Sequence, residues 1–389
     1  MFLDHASTTK IHKSFLNAIN AYEDQYANPS SNHKDGLKIR SFMDAYKKRI
    51  LKLVNEFYNT EFTHFILTSG ATESINTVFH AFSADSAFVT TEIEHKATLE
   101  SVKKYSTYNK QANFINLQDP SKSEIDKDWG KYLISIMTVN NETGSILDPK
   151  TFLEPVYDII KNQKSDAEIF AHCDNTQGFM KTKLDLHQYD MMTFSGHKIG
   201  TFKGIGGLFL NDRAYEQIKK KPLIVGGSQQ DGIRAGTENP LFIYALYQLL
   251  LELNYDFSTR LIHAENINSI VKTLLINLAS ELNLKLHFNE LESTKCSPYI
   301  INFAFEGIEG ESVLTALDHD SLATTSACNS EVLESSYVLK ALGIPNSIAN
   351  CALRMSFNED SLDDIVFFLR VNFKQAIEKL AQFRVRKTN

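Results

Sequence analysis

The sequence of 389 residues predicts an α/β protein. We expect a large domain with a mostly parallel sheet flanked by helices, and a smaller α+β C-terminal domain. Short apolar segments of strand length alternate with segments whose apolar residues recur at helical spacing. Polar clusters follow several of the apolar segments, and in parallel α/β sheets ligands gather beyond the carboxyl ends of the strands. Hydrophobic residues make up 43% of the chain, which is enough for sizeable cores.

The chain is long enough for two domains. The large domain is predicted to span residues 16–256, and the small domain residues 1–15 together with 257–389. A long helical stretch over residues 241–282 is expected to leave the sheet domain and enter the C-terminal one.

In the large domain, apolar residues at helical spacing with charges between them predict a helix over residues 36–55. Residues 65–68 form a short apolar strand, followed by a small, hydroxyl-rich turn at 69–74 and a helical segment at 75–82. The remaining elements alternate along the chain: strand 87–90, helix 97–105, strand 132–139, helix 155–161, strand 169–172 and strand 189–192. Pro155 suits a first helical position.

The C-terminal domain is predicted to mix both element types: strand 299–305, helix 312–317, helix 336–342, strand 353–357 and an amphipathic closing helix 362–380. Between the first two helices, residues 324–330 form a loop of small residues that contains Cys328.

Composition and charge exclude several classes of protein. The formal net charge of −7 does not indicate a nucleic-acid-binding surface. The cysteines are far apart and have no zinc-binding spacing, so no metal site is expected. The low number of cysteines is typical of a protein in a reducing compartment. Residues 1–10 resemble neither a signal peptide nor a transit peptide. No apolar run approaches the ~20 residues that a membrane helix needs. We therefore expect a cytoplasmic protein with no membrane contact.

The segment Thr193-Phe194-Ser195-Gly196-His197-Lys198 follows an apolar strand and places a hydroxyl, an imidazole and an amine in one turn. A lysine amine can form a Schiff base with an aldehyde cofactor such as pyridoxal phosphate (PLP). An isolated lysine at such a position is more often simply solvated. The functional interpretation gains weight from the other polar clusters of the chain.

Two further patterns support a ligand site at the strand ends. The strand, glycine turn and helix over residues 65–82 match a phosphate cradle, because free N–H groups at a helix N-terminus attract anions. Alone this signal is weak, since Ser and Thr are also ordinary helix caps. Polar clusters also follow several predicted strands, namely residues 94–96, 140–142, 174–177 and 195–198. Four such clusters after four strands favour a shared site.

The sequence resembles the cysteine desulfurases of the NifS/IscS type, within the class V aminotransferase group of fold-type I PLP-dependent enzymes. The motifs that carry the resemblance span nearly the whole chain: LDHASTT, NPSS, TSGATES, EHKA, VNNETG, HCDNTQG, FSGHK, RAGTEN, SACNS and LRMSF. The SAC loop followed by LESSYVLKALG is similar to the longer-loop subgroup, group I.

The resemblance implies PLP as the cofactor and gives three residues a chemical role. Lys198 would carry the cofactor and then act as a mobile base. Asp174 would lie against the pyridinium nitrogen and keep it protonated, which makes the ring a better electron sink. His95 would stack on the ring and relay protons, because imidazole titrates near neutral pH.

Further cofactor contacts are implied by the same motifs. The phosphate would be bound by Ala71, Thr72, Ser195 and His197. Asn141 and Gln177 would hydrogen-bond the ring hydroxyl. Thr237 would reach the phosphate of the neighbouring subunit's cofactor, so a homodimer is expected.

The reaction implied is the conversion of L-cysteine to L-alanine. Arg354, with Asn141, would bind the substrate carboxylate, where a planar guanidinium gives two-point recognition. Cys328 lies among small polar residues and would attack the substrate sulfur to form a persulfide. Cys173 and Cys351 lie in or near apolar strands and are expected in the core. The sulfur would then pass to an acceptor protein for iron–sulfur cluster assembly, tRNA thiolation or DNA phosphorothioation.

Some positions depart from the commonest pattern of these enzymes. Cysteine precedes Asp174 and asparagine follows it, residues 199–202 read Ile-Gly-Thr-Phe, Glu331 follows the SACNS motif, and Asn358-Glu359 follows LRMSF. None of these changes removes a catalytic group. Three alternatives stay open: a selenocysteine lyase or another PLP enzyme of the same fold, a sulfur-delivery subunit dedicated to one pathway, and a catalytically idle scaffold.

Overall fold

The computed structural model describes residues 1–21, 26–106, 112–127, 129–292, 294–317, 322–324, 335–358 and 360–383. The chain divides into two compact units. The sheet unit comprises Lys10–Thr138 and Leu147–Phe257, and the terminal unit comprises Met1–Thr9, Val139–Ile146 and Ser258–Asn389. These limits differ from the domain limits expected from the sequence at residues 10–15 and at Phe257, which lie in the sheet unit, and at residues 139–146, which lie in the terminal unit.

The sheet unit alternates helices and strands. Its elements in chain order are α1 Lys13–Asn20, α2 Lys34–Tyr58, β1 His64–Thr68, α3 Ala71–Phe82, β2 Ala87–Thr90, α4 Lys96–Tyr105, β3 Asn113–Phe114, β4 Lys131–Met137, α5 Pro149–Phe152, α6 Glu154–Gln163, β5 Glu168–Asp174, β6 Met191–Ser195, β7 Gly206–Leu210, α7 Asp212–Lys219 and α8 Pro240–Tyr255. Pro155 was expected at the first helical position and lies at the second, because α6 begins at Glu154.

The seven strands of this unit form one sheet in the order β1-β7-β6-β5-β4-β2-β3. Adjacent pairs among β3, β2, β4, β5 and β6 are parallel, whereas β7 pairs antiparallel with both β6 and β1. The mostly parallel sheet predicted from the sequence is therefore confirmed. Met137 aligns with Asp174, and Asp174 aligns with Thr193, so the ends of β4, β5 and β6 meet at one edge.

One face of the sheet is buried by α3 and α7. Val78, Phe79 and Phe82 of α3 are fully buried in a cluster that also contains Phe88 and Phe170 from the sheet. Each such side chain contributes roughly 1.5–3 kcal/mol when it leaves water. The amphipathic face of α3 therefore holds its N-terminus at a fixed place above the ends of the strands.

The terminal unit mixes helices with a small sheet. Its elements are α9 Phe257–Glu281, β8 Leu286–Phe288, β9 Ile300–Phe305, α10 Gly310–Ala316, β10 Ala323–Thr324, α11 Tyr337–Ala341, α12 Asn346–Ala349, β11 Ala352–Ser356, α13 Leu362–Phe368 and α14 Lys374–Ala381, the last two joined by a π-helical turn, Leu369–Phe373. The strand order is β10-β11-β9-β8, with antiparallel pairs throughout. Asp4 bridges to Ser356, which ties the N-terminal segment to β11.

Some expectations about individual elements are wrong. The continuous helix over residues 241–282 is two helices, because the backbone of Asp256 leaves helical geometry between α8 and α9. Helix α3 begins at Ala71 and not at residue 75, so the polar residues of the expected turn form its first helical turn. Strand β6 continues to Ser195.

Strand β7 was not expected, because its two glycines resemble a turn. Both are required by packing. A Cβ on Gly206 would lie 2.4 Å from the Cα of Gly70, and one on Gly207 would lie 2.4 Å from the ring of Phe65. Helices α1 and α7 were also not predicted. Among the described residues, no helix combines the length and the apolar character that crossing a membrane requires.

Candidate active site

The carboxyl ends of β4, β5 and β6 bring an acid to the edge of the sheet. Asp174 is the last residue of β5 and is only 4% exposed. Its Oδ1 accepts the backbone N–H of Thr176 at 2.9 Å, which fixes the orientation of the carboxylate. The hydroxyl of Thr176 is buried and has no hydrogen-bond partner among the described residues, and Gln177 beside it is also buried. A buried hydroxyl that the described residues leave unsatisfied, as at Thr176, is expected beside a polar ligand.

A buried histidine supports this edge from within the sheet. His172 lies two residues before Asp174 and thus on the same face of β5. Its Nδ1 lies 2.9 Å from the hydroxyl of Ser135 in β4, and its Nε2 lies 2.8 Å from the hydroxyl of Thr193 in β6. Burial lowers the pKa of His172 to about 3, so the ring is neutral at physiological pH. These bonds tie together the three strands that present the site.

The N-terminus of α3 forms an open turn beside Ser195. Gly70 is the N-cap, and no side-chain hydrogen bond from a described residue caps the helix. A Cβ on Gly70 would lie 3.8 Å from the hydroxyl of Ser195, which places Ser195 next to the first turn of α3. Ala71 and Thr72 begin the helix, and their N–H groups precede the regular hydrogen-bonding pattern. This turn offers backbone donors and a positive dipole end to an anion.

A short 3₁₀ turn, Gly196–Lys198, follows β6 and carries two of the predicted residues. A Cβ on Gly196 would lie 2.2 Å from the hydroxyl of Thr201, so only glycine fits there. Lys198 and His197 are half-buried. Burial lowers the pKa of His197 to about 4, and the positive charges of Lys198, Lys203 and Lys181 add to the effect. His197 is therefore a neutral hydrogen-bonding group in a positively charged surrounding that suits an anion.

His95 is influenced by the charges of both Asp174 and Lys198. It is the N-cap of α4, and its Nδ1 accepts the N–H of Ala97 at 3.1 Å, which places the proton of the neutral ring on Nε2. Although the side chain is exposed, the loss of hydration beside surrounding protein lowers its pKa. Asp174 opposes this shift, and Lys198 and Lys96 reinforce it. The charges of Asp174 and Lys198 therefore both act on this ring.

Glu94, next to His95, is fully buried. Its Oε1 accepts the N–H of Met137 at 2.9 Å and the hydroxyl of Thr91 at 2.8 Å. Burial raises the pKa of Glu94 to about 8, with a further contribution from the negative charge of Asp174. Glu94 is therefore protonated at neutral pH, which leaves Asp174 as the acid at the strand end. Sequence reasoning included Glu94 in a polar cluster but gave it no role.

The sheet unit thus has the groups that a phosphorylated pyridine aldehyde needs. Asp174 can face a ring nitrogen, Lys198 can hold an aldehyde, and the start of α3 with Ser195 and His197 can hold a phosphate. The residues fit PLP in their chemistry and in their grouping at one edge of the sheet. The individual roles stay predictions.

The terminal unit brings Arg354 and Asn141 together. Arg354 Nη1 donates to the carbonyl oxygen of Asn141 at 2.8 Å, and Nη2 donates to Oδ1 of Asp4 at 2.5 Å. The Nε of Arg354 and the Oδ1 of Asn141 are buried and have no hydrogen-bond partner among the described residues. A carboxylate could accept from Nε, which fits the predicted role of Arg354. Sequence reasoning missed Asp4, whose only signal was an acid in the first motif of the chain.

The segment that contains Thr237 is held by two ion pairs. Arg234 contacts Glu73 in the first turn of α3, and Glu238 contacts Lys47 of α2. Thr237 itself is exposed between them. Sequence reasoning missed the pairing of Arg234 with Glu73, because the opposite charges of the two motifs were the only signal for it.

The predicted nucleophile, Cys328, lies outside the described residues. The other three cysteines are described, and burial raises the pKa of each thiol, to about 12 for Cys296. Cys173 and Cys351 are buried, as predicted, and Cys296 is half-buried. A raised pKa disfavours the thiolate, so none of these three is an activated nucleophile.

Comparisons with known proteins give a consistent result. The family Aminotransferase class-V matches residues 1–363. The chain is 30% identical over 402 aligned residues to cysteine desulfurase IscS of Buchnera aphidicola subsp. Baizongia pistaciae, covering 98% of this chain and 93% of that protein. IscS of Buchnera aphidicola subsp. Schizaphis graminum is 32% identical, with 92% and 87% covered. A solved NifS-like protein superposes with a TM-score of 0.81 at 25% identity, covering 98% of this chain and all of that one.

Proposed function

Because the chain belongs to the Aminotransferase class-V family and is an enzyme of the cysteine desulfurase type, we propose that it binds PLP in the sheet unit. We propose further that it transfers the sulfur of L-cysteine to Cys328. The observation that carries this proposal is that Asp174 ends β5 and Lys198 follows the adjacent strand β6, beside Ser195 and the start of α3. The charges of both residues also act on His95. A cationic amine, an acid and an anion site at one edge are what the cofactor requires. When bound, PLP supplies an electron sink that stabilises negative charge on the carbon next to the substrate amine.

The residues of the sheet unit would share the work of binding and proton transfer. Asp174 keeps the ring nitrogen protonated, and the first turn of α3 with Ser195 and His197 binds the phosphate. The amine of Lys198 holds the cofactor aldehyde and later moves the proton at the substrate's α-carbon. His95 relays protons from its Nε2, because Nδ1 is used as the cap of α4.

In the terminal unit, Arg354 would bind the carboxylate of L-cysteine, with Asn141. The buried, unpartnered Nε of Arg354 supports this assignment, because a carboxylate oxygen would satisfy it. Because Nη1 and Nη2 are held by Asn141 and Asp4, the open donor is Nε, so one-point contact replaces the two-point recognition expected from the sequence. A lysine amine could not make these three contacts in one plane.

The sulfur would be taken by a thiol of the protein. Sγ of Cys328 attacks the sulfur of the substrate, the carbon–sulfur bond breaks, and the carbon takes up a proton. L-cysteine and the thiol thus give L-alanine and a persulfide on Cys328, so atoms and electrons balance without an added reductant. The raised pKa values of the three described thiols leave Cys328 as the best candidate.

Replacing Cys328 by serine tests this assignment. We expect the cofactor absorbance near ~400–420 nm to persist, because Lys198 and Asp174 are unchanged, while alanine production from L-cysteine falls at least about 100-fold. The measurements are the absorbance spectrum and alanine release by chromatography. The matched control is Cys296→Ser, which should leave both unchanged. Full turnover in the Cys328→Ser protein would refute the nucleophile, and a purified protein that takes up no PLP would refute the whole proposal.

The acceptor, the oligomer and the cellular location belong to the same proposal. We propose that the persulfide sulfur passes to an acceptor protein serving iron–sulfur cluster assembly, tRNA thiolation or DNA phosphorothioation in the cytoplasm. Incubation of the ³⁵S-loaded enzyme with candidate acceptors tests this transfer, and failure of every acceptor to gain label would refute it.

The exposed position of Thr237 supports a homodimer in which this residue reaches a second cofactor. Light scattering of the purified protein tests the dimer, and a monomeric mass would refute it.

A further inference from the structure

A two-point ion pair joins residues that lie far apart in sequence. Arg234 Nε lies 2.9 Å from Glu73 Oε1, and Arg234 Nη2 lies 3.4 Å from Glu73 Oε2. The same Oε2 accepts the backbone N–H of Ser69 at 2.8 Å. The side chain of Glu73 is only 9% exposed. Both carboxylate oxygens are thus occupied by donors from outside the helix.

The position of Glu73 poses an electrostatic problem. It lies in the first turn of α3, where Ala71 and Thr72 would bind the cofactor phosphate. Burial alone would raise the pKa of Glu73, but the hydrogen bonds from Arg234 and from Ser69 outweigh it and hold the pKa below its ordinary value. Glu73 is therefore ionised at neutral pH. An uncompensated carboxylate there would repel the phosphate and compete for the same positive helix end.

We propose that Arg234 is a positioning residue for the phosphate subsite. It neutralises Glu73 and holds it against the N–H of Ser69, so that the N–H groups of Ala71 and Thr72 remain for the phosphate. This inference rests on the proposed function, because it takes the start of α3 as the phosphate site.

The geometry of the segment after Arg234 supports a fixed role. Arg234 uses a planar fork toward Glu73, which a lysine could not reproduce. Two residues later, Gly236 has a φ of +106°, and its N–H donates to the side chain of Gln229 at 3.2 Å. At the far end of the segment, Lys47 Nζ lies 2.5 Å from Glu238 Oε1. The Lys47 pair anchors the same segment to α2 and contains no residue of α3, which makes it a matched control.

Titration of the apo protein with PLP tests the inference by removing each charge singly and then both together. We expect Arg234→Gln to weaken PLP binding by about 3-fold to 30-fold, the range that a charge in the first turn of a helix can produce. Glu73→Gln should bind PLP at least as tightly as the wild type. The double variant with both changes should return to within about 3-fold of the wild type, because no uncompensated charge remains. Lys47→Gln should bind PLP as the wild type does.

Pyridoxal, which lacks the phosphate, separates an electrostatic effect from a folding defect. Pyridoxal should bind Arg234→Gln and the wild type equally. A double variant that stays as weak as Arg234→Gln would overturn the inference, as would a loss of pyridoxal affinity equal to the loss for PLP. If wild-type protein binds pyridoxal and PLP equally, the phosphate site itself is wrong, and if it binds neither, the proposed function fails. Each failure therefore has a different signature.

Discussion

Helices α3 and α4 both follow strands of the same sheet, yet they begin in different ways. Gly70 caps α3 without a side-chain hydrogen bond, whereas the ring of His95 accepts the N–H of Ala97 at the start of α4. The first helix therefore keeps its N–H groups for an anion, and the second uses one for its own side chain. A helix that follows a strand can therefore bind an anion at its start when no side chain accepts the N–H groups of its first turn.

The two helix starts also manage negative charge differently. Glu73 in α3 is ionised and compensated by Arg234, while Glu94 before α4 is buried with its pKa raised to about 8. One carboxyl is neutralised by a cation and the other by a proton. Asp174 is left as the acid that the ring nitrogen would meet.

The largest combined effect on stability and PLP affinity should come from Gly206→Ala, which closes the turn before α3. Gly206 aligns with Thr68 and with Ser195 in the sheet, and its Cα faces the backbone of Gly70. We expect Gly206→Ala to lower the free energy of unfolding by about 2–3 kcal/mol, because the added methyl must displace backbone. PLP affinity should fall by about tenfold or more, since the turn proposed to bind the phosphate moves. Urea unfolding and PLP titration measure the two effects.

Gly130→Ala is the control for this change. The nearest atom to its added Cβ is the terminal nitrogen of Lys164, at 3.9 Å, so the change should alter stability by less than about 0.5 kcal/mol. Unchanged PLP affinity in Gly206→Ala would show that the contact with Gly70 does not shape the phosphate turn.

The next effect concerns the protonated carboxyl before α4. Because burial raises the pKa of Glu94 to about 8, the folded protein holds one proton more than the unfolded chain between about pH 4.5 and pH 8. Glu94 therefore makes stability fall as pH rises through this range. We expect Glu94→Gln to remove this slope, with a gain over the wild type on the order of 3 kcal/mol by pH 8.5 and little gain at pH 5. Urea unfolding at both pH values measures it.

Glu92→Gln removes a neighbouring exposed carboxyl and serves as the matched control, with no expected change in slope. If Glu94→Gln and the wild type showed parallel stability profiles between pH 5 and pH 8.5, Glu94 would have to be ionised in the folded protein.

The smallest effect on stability concerns the cap of α4. We expect His95→Ala to lose about 1 kcal/mol of stability, because the N–H of Ala97 loses its acceptor, and His95→Asn to keep that stability, because asparagine is a good N-cap. Both variants should lose turnover alike, by about 100-fold, since neither has a ring to relay protons. Thermal unfolding and alanine release measure the two. Equal destabilisation of both variants would mean that the ring does not act as a cap, and full turnover of His95→Asn would remove its proposed relay.

Local patterns in the sequence were sufficient for much of the fold. Apolar runs predicted β2 at residues 87–90, as observed, and helical spacing predicted α4 to within one residue. The same patterns placed Asp174 and Lys198 after consecutive strands of a parallel sheet. Since parallel strands end at a common edge, adjacency of these residues followed from their order in the chain.

Only the tertiary structure decided which charges compensate one another. Arg234 meets Glu73, and Arg354 meets Asp4, although 161 and 350 residues separate the members of these pairs. It also decided that the glycines of β7 serve close packing and that α3, unlike α4, begins without a side-chain cap. Periodicity reports only on residues within a few turns or strands of each other. The choice of a distant partner depends on strand order and packing, which a single sequence pattern does not contain.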